Sequence, residues 1–187
     1  IELADALLEN TSVTYLELDA GKYTKRSVEA MAKYIRTSKR LQRIYWLRNW
    51  MLDEEFVLRY REEMFCCFLP AIQECTSLKE LDLDLPPIGG PSILALENML
   101  KTNTTLRELT LEFSRGATNV SPILSSLRDH PLLRRLCLRW RADLTGLETV
   151  LLSGNTKITE LEINMTYISA PSIGLTRVLQ ALGRHPA

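Results

Sequence analysis

Neither sign of charge prevails in this chain: its 187 residues carry 23 Lys plus Arg against 23 Asp plus Glu. No global field draws it to nucleic acid or to an anionic membrane surface, and neither is expected as a partner. Long apolar runs are also missing. No stretch approaches the roughly 18 residues that a membrane-spanning helix needs, and the opening IELADALLEN carries acids where a signal peptide has a basic start. Cysteine is sparse, with Cys66, Cys67, Cys75 and Cys137 forming no CxxC pair and no cluster at either end. Free thiols in a reducing, cytoplasmic compartment fit this better than a disulfide framework. Four N-x-S/T sequons, at Asn10, Asn103, Asn119 and Asn164, are the evidence on the other side.

Catalytic signatures are absent as well. The two histidines, His130 and His185, are far apart in the chain, and HxH, HExxH, GxSxG, GxxxxGK and GxGxxG do not occur. No enzyme, cofactor or metal site is expected. With no Gly/Ser/Pro-rich linker to divide it, the chain reads as one domain over 1–187.

What is present is a repeat. The pattern LxxLxL, with Val, Ile or Trp as variants, begins at residues 13, 41, 78, 106, 133 and 158, so successive copies lie 28, 37, 28, 27 and 25 residues apart. Residues at positions 4 and 6 of such a strand point to one side, and those at 3, 5 and 7 to the other. Six residues before each anchor stands an aliphatic (Leu7, Ile35, Ile72, Leu100, Leu127, Leu152), and ten before stand Leu3, Met31, Phe68, Leu96 and Ile123, with Glu148 the exception. Positions four apart share one face of a helix, so each strand is preceded by a helix that lays this stripe on the sheet.

Three residues before each anchor come Asn10, Ser38, Cys75, Asn103, His130 and Asn155, mostly followed by Thr or Pro. Residues that tolerate left-handed geometry are expected to end the helix there, which gives both histidines and the sequons at Asn10 and Asn103 a turn role. Helix starts are read at Ser27, Ser92 and Ser172 as caps, at Ser121-Pro122, and at Asp53 before a helix opening at Glu54 that Pro70 ends or kinks.

The period, the LxxLxL anchors and the helical stripe together resemble the leucine-rich repeat proteins, in particular their ribonuclease-inhibitor-like subfamily. The resemblance implies an α/β, right-handed solenoid of about six repeats, a horseshoe with a parallel sheet on its concave face and helices on its convex face. It is silent on function. His185 falls in the helix-ending column, so a seventh strand is expected just past Ala187, as in a segment cut from a longer array. Ends of this kind could pack on neighbouring repeats or self-associate; the domain is otherwise expected to be a monomer.

The bare face of the sheet is the candidate site. Its outward columns read Tyr15, Arg43, Glu80, Glu108, Arg135, Glu160; then Glu17, Tyr45, Asp82, Thr110, Cys137, Glu162; then Asp19, Leu47, Asp84, Glu112, Arg139, Asn164. Nine of these eighteen are acids and three are arginines, which points to a basic protein ligand. The competing reading is lateral neutralisation, with Arg135 between Glu108 and Glu160 and Arg139 beside Glu112. Two irregular units add to the candidate surface. The long second unit places Arg48 and Trp50 near the rim, a combination common in interface hot spots, and the fifth clusters arginines around Trp140.

A protein-interaction or scaffold module is therefore the leading expectation. A regulator of an enzyme, as in the Ran GTPase-activating members of the resembled subfamily, and a structural spacer or sensing portion of a larger receptor remain alternatives.

Overall fold

The computed structural model describes residues 2–19, 24–47, 54–85, 90–113, 121–140 and 157–164, and within these the side chains of residues 2–5, 19, 47, 54–63 and 140 lie outside the description. Helix and strand alternate: α1 (Glu2–Glu9), β1 (Tyr15–Asp19), α2 (Lys25–Thr37), β2 (Arg43–Leu47), α3 (Glu54–Glu74), β3 (Glu80–Leu85), α4 (Gly90–Thr102), β4 (Glu108–Phe113), α5 (Ser121–Ser126), β5 (Arg135–Trp140) and β6 (Glu160–Asn164). The strands form one parallel sheet in chain order, β1 to β6. This is an α/β arrangement compatible with a leucine-rich-repeat-like fold.

The register turns the sequence columns into physical rows. Tyr15 pairs with Arg43, Arg43 with Glu80, Glu80 with Glu108, Glu108 with Arg135 and Arg135 with Glu160. Parallel strands whose anchors all face one core leave little choice, because a slip of one residue would turn every aliphatic outward. Positions 4 and 6 are buried from β2 to β5, for example Ile44, Leu81, Leu109 and Leu136. Leu16 in β1 and Leu161 and Ile163 in β6 are only partly buried, at the two ends of the described sheet. The helical stripe meets these anchors in one continuous core: Met31, Ile35, Phe68, Ile72, Leu96, Leu100, Ile123 and Leu127 are all buried in it.

The long second unit is explained in part by one side chain. Trp46 occupies a position that Leu or Ile holds elsewhere, and α3 receives it with Phe65 stacked at 4.9 Å and Phe68 edge-on at 4.9 Å. Offset and edge-to-face ring contacts each add to simple burial. The described half of α3 is thus a packing element, with Met64, Phe65, Phe68 and Leu69 buried. Asp53, Arg48 and Trp50 lie outside the described residues.

The column three residues before each anchor works by a different device from the expected one. Asn103 Oδ1 accepts from the N–H groups of Thr105 and Leu106, both at 2.9 Å, while its Nδ2 donates to the Ile72 carbonyl of the preceding unit at 3.4 Å. Asn10 Oδ1, Ser38 Oγ and His130 Nδ1 accept from the corresponding N–H groups two and three residues ahead. Ser38 itself has φ −64° and ψ 130°, an extended conformation. At these four positions the column supplies a side-chain acceptor to the turn, while Cys75 Sγ lies 3.5 Å from Ser77 Oγ, and left-handed geometry is not what Ser38 provides. Asn103 is buried with its amide committed, so that sequon is a structural feature of the turn.

Three expected helix boundaries are corrected. The cap of α2 is Thr24, whose Oγ1 accepts from Ser27 N at 3.2 Å, and Ser27 is already helical. Ser92 lies inside α4 and is buried, since Gly90 begins that helix. Pro70 does not end α3, which runs on to Glu74; a proline removes one N–H, but the burial of Phe68, Leu69, Ala71 and Ile72 keeps the last turn in place. The fifth helix opens at the Ser121-Pro122 pair, with Ser121 its first helical residue where it was read as the cap. The units expected around Glu148, Leu152 and Asn155, and around Ser172 and His185, lie outside the described residues.

Candidate functional site

On the face of the sheet away from the helices, the outward rows alternate with the buried anchors, so β3 reads half-buried, buried, half-buried along its length. Its side chains do not behave as independent solvated charges. Arg43 on β2 closes on Glu80 of β3, a contact between Nε and Oε2. Arg139 on β5 reaches Glu112 on β4 at 3.7 Å and, across that strand, Asp82 on β3 at 4.0 Å. Arg135 on β5 turns the other way, to Glu160 at 3.7 Å and Glu162 at 3.4 Å on β6. Tyr15 Oη donates to Glu17 Oε2 at 2.8 Å.

Two sequence expectations are refined by this geometry. Arg135 is flanked by Glu108 and Glu160 in the register as expected, but its ion pairs run to Glu160 and to Glu162, with none to Glu108 among the described residues. The lateral pairing extends to the third unit, where Glu80 and Asp82 are met by Arg43 from β2 and Arg139 from β5. A guanidinium on a long stem spans more than one 4.8 Å strand spacing, so same-strand neighbours underestimate its reach. Arg139 beside Glu112 is found as expected.

Rows of acids at strand spacing perturb one another. Burial is the main cause that pushes the Asp82 carboxyl up to about 6; the carboxylates of Glu112 and Asp84 add to it, and Arg139 opposes them. Burial likewise pushes the Cys137 thiol up. Cys137 is a feature the columns missed: it occupies an outward position yet is 4% exposed. It lies between Thr110 and Glu162 in the register, near Arg139 and Asp82, and a periodicity argument carries no information about height above a sheet.

Between β1 and β5 the face holds an open concavity of about 410 Å³, lined by Tyr15, Arg43, Tyr45, Glu80, Asp82, Glu108, Thr110 and Arg135 among others. The sheet therefore brings together Glu17, Arg43, Tyr45, Glu80, Asp82, Asp84, Glu108, Glu112, Arg135, Arg139, Glu160 and Glu162 on one surface. Asp19 and Trp140 belong to β1 and β5 by backbone, and their side chains lie outside the description. Such a face can hold cationic side chains by charge-assisted hydrogen bonds. Among the described residues, no group of three or more His, Cys, Asp or Glu is placed to hold a metal ion. No helix among them is long and apolar enough to cross a membrane.

No protein-family model and no curated protein sequence matches the chain. Among solved structures it is similar to "Leiomodin-1 Actin-Binding Site 2 (ABS2)", with a TM-score of 0.55 and 15% identity over 98% of this chain and 87% of that one. It is also similar to the tropomodulin C-terminal domain of Caenorhabditis elegans, with a TM-score of 0.49 and 11% identity over 98% of this chain and 91% of that one. The ribonuclease-inhibitor-like resemblance is corrected by this result. Period, anchors and helical stripe are what any stack of helix–strand units with one bare sheet face requires, so they do not separate subfamilies. The likeness shown, at 15% identity, is one of fold, and it is to the actin-binding site 2 domain of leiomodin-1.

Proposed function

We propose that this domain is a protein-interaction module, a curved solenoid whose bare, concave sheet face receives a basic surface of a protein partner. The observation that carries the reading is the composition of the paired rows: eight acids and three arginines stand among the sixteen outward positions whose side chains are described, on six strands in register. The three arginines are each engaged by carboxylates of that face, so a cation brought by a partner meets a surface that still carries an excess of negative charge. A rigid parallel sheet presents these charges without an ordering cost on binding. The four cysteines, free thiols in this fold, favour a reducing and hence cytoplasmic setting.

Actin is the first protein to present to the domain, because one solved fold neighbour is an actin-binding site of leiomodin-1. The test combines co-sedimentation with actin and fluorescence anisotropy with a labelled lysine-rich decapeptide. Changing Glu80, Asp82 and Asp84 together to Lys is expected to weaken at least one of these interactions by about tenfold or more while the circular dichroism spectrum is unchanged. If both ligands bind the triple variant as they bind the wild type, the bare face is not the interaction surface.

A further inference from the structure

We infer that the edge of the sheet where the strands begin is a second docking surface, which takes a carboxylate-rich segment of a protein partner. The inference rests on the reading of the domain as a protein-interaction module and adds a site with the opposite charge preference. Position 2 of the repeat pattern, the residue just before each strand, holds Lys79, Arg107 and Arg134 in three consecutive units. The backbone sets them side by side: Arg107 N donates to the Lys79 carbonyl and Arg134 N to the Arg107 carbonyl, each at 2.8 Å. Their backbones are therefore one strand spacing apart, about 4.8 Å.

All three side chains are exposed, and Lys39 and Arg40, exposed in the turn before β2, extend the row by one unit. Among the described residues none of these five makes an ion pair. The contrast with the sheet face is sharp, since there Arg43, Arg135 and Arg139 are each met by at least one carboxylate. Like charges opposite one another on adjacent strands disfavour the pairing. A chain with as many acids as bases nonetheless keeps acids out of this row and places them one residue further on, at Glu80 and Glu108. Across β3 and β4 charge is thus sorted into a basic edge and an acidic face, while in the fifth unit Arg134 is followed by Arg135, which Glu160 and Glu162 take up.

The adjacency of the bands selects the class of partner. Glu80 and Glu108 follow Lys79 and Arg107 directly, so the acids begin about 3.4 Å along each strand from the cations, well inside a screening length of about 8 Å. A continuous polyanion such as nucleic acid, or the plane of an anionic bilayer, would meet the acids as soon as it covered the cations. A polypeptide can present carboxylates to the edge alone and place neutral or basic residues over the face. Guanidinium groups at Arg107 and Arg134 suit carboxylates in particular, by paired N–H···O contacts.

The experiment is fluorescence anisotropy of a labelled glutamate-rich decapeptide with the whole chain at low ionic strength. The wild type is expected to bind it, with affinity falling as salt is raised, and the Lys79→Glu/Arg107→Glu/Arg134→Glu variant to lose about tenfold or more. Lys79→Gln/Arg107→Gln/Arg134→Gln serves if the reversal does not fold, and is expected to lose most of the same binding. The Glu80→Lys/Asp82→Lys/Asp84→Lys variant should retain or tighten it, so failure of the edge and failure of the acidic face are read in different measurements. Absence of wild-type binding, equal binding by both edge variants, or tighter binding of phosphatidylserine vesicles or of a single-stranded oligonucleotide than of the decapeptide would each overturn the assignment.

Discussion

Replacing Asp82 with Asn should make the domain more stable at neutral pH, although it removes a partner of Arg139. Asp82 sits on β3 with a side chain 23% exposed, and Arg139 lies 4.0 Å away. Burial and the neighbouring carboxylates of Glu112 and Asp84 outweigh that cation, so the carboxyl is pushed from 3.8 up to about 6. A displacement of about two pH units corresponds to about 3 kcal/mol at full strength, and screening at a partly solvated surface reduces it to about 1 kcal/mol. The sign follows from proton uptake. Between about pH 4 and pH 6 the folded chain binds this proton more tightly than the unfolded chain, so this group adds stability as the pH falls through that window and costs most above it. Asn keeps the shape and removes the charge, so at about pH 7.5 the variant should exceed the wild type by about 1 kcal/mol, and the difference should shrink through that window and approach zero below about pH 4. Urea denaturation of both proteins at matched pH values measures it, and taking the difference cancels every other titrating group. A variant less stable than the wild type at neutral pH, or a gain that does not change with pH, would refute the reasoning.

Other perturbations probe the core and the turns. Leu109→Ala, at a strand position 1% exposed, should cost about 2 to 5 kcal/mol in chemical denaturation, and equal stability would mean that the inside and outside of the sheet have been exchanged. His130 is buried with Nδ1 accepting from Leu132 N and Leu133 N, and burial holds its pKa below the ordinary value. Its neutral form is therefore the folded form, and the stability tied to it should be lost as the pH falls through about 6.5 and below. His130→Asn, which restores the acceptor found at Asn10 and Asn103, should keep stability within about 1 kcal/mol at neutral pH and lessen that acid sensitivity. His130→Ala should cost about 1 to 3 kcal/mol by stranding the two buried or part-buried N–H groups.

The alternation of inward and outward positions was readable because each unit repeats the same two periods, 2 in the strand and 3.6 in the helix, and the register then had one solution that buried every anchor. Other features resisted that logic for local reasons. Thr24 rather than Ser27 caps α2, because both hydroxyls lie within one turn and the chain's path between elements decides which one faces the free N–H groups, while Ser92 is interior to α4 because that helix already begins at Gly90. The column of Asn10, Ser38, Asn103 and His130 was placed correctly in the sequence, but its work as an acceptor for the following turn is visible only when the distances are.

Sequence alone determined the order of elements, the sheet register and the identity of the core, since hydrophobic burial is non-directional and needs only apolar side chains at the right spacing. It also determined that the bare face is rich in acids. Tertiary structure decided how those acids are used: Arg139 crosses a strand to reach Asp82, Arg43 closes on Glu80, and Cys137 is buried at an outward position. Coulomb energy falls off over a few ångströms and burial depends on everything packed nearby, so neither is written in one strand's pattern. The same reason governs the long second unit, where the aromatic contacts of Trp46 with Phe65 and Phe68 show what the described part of the added length does.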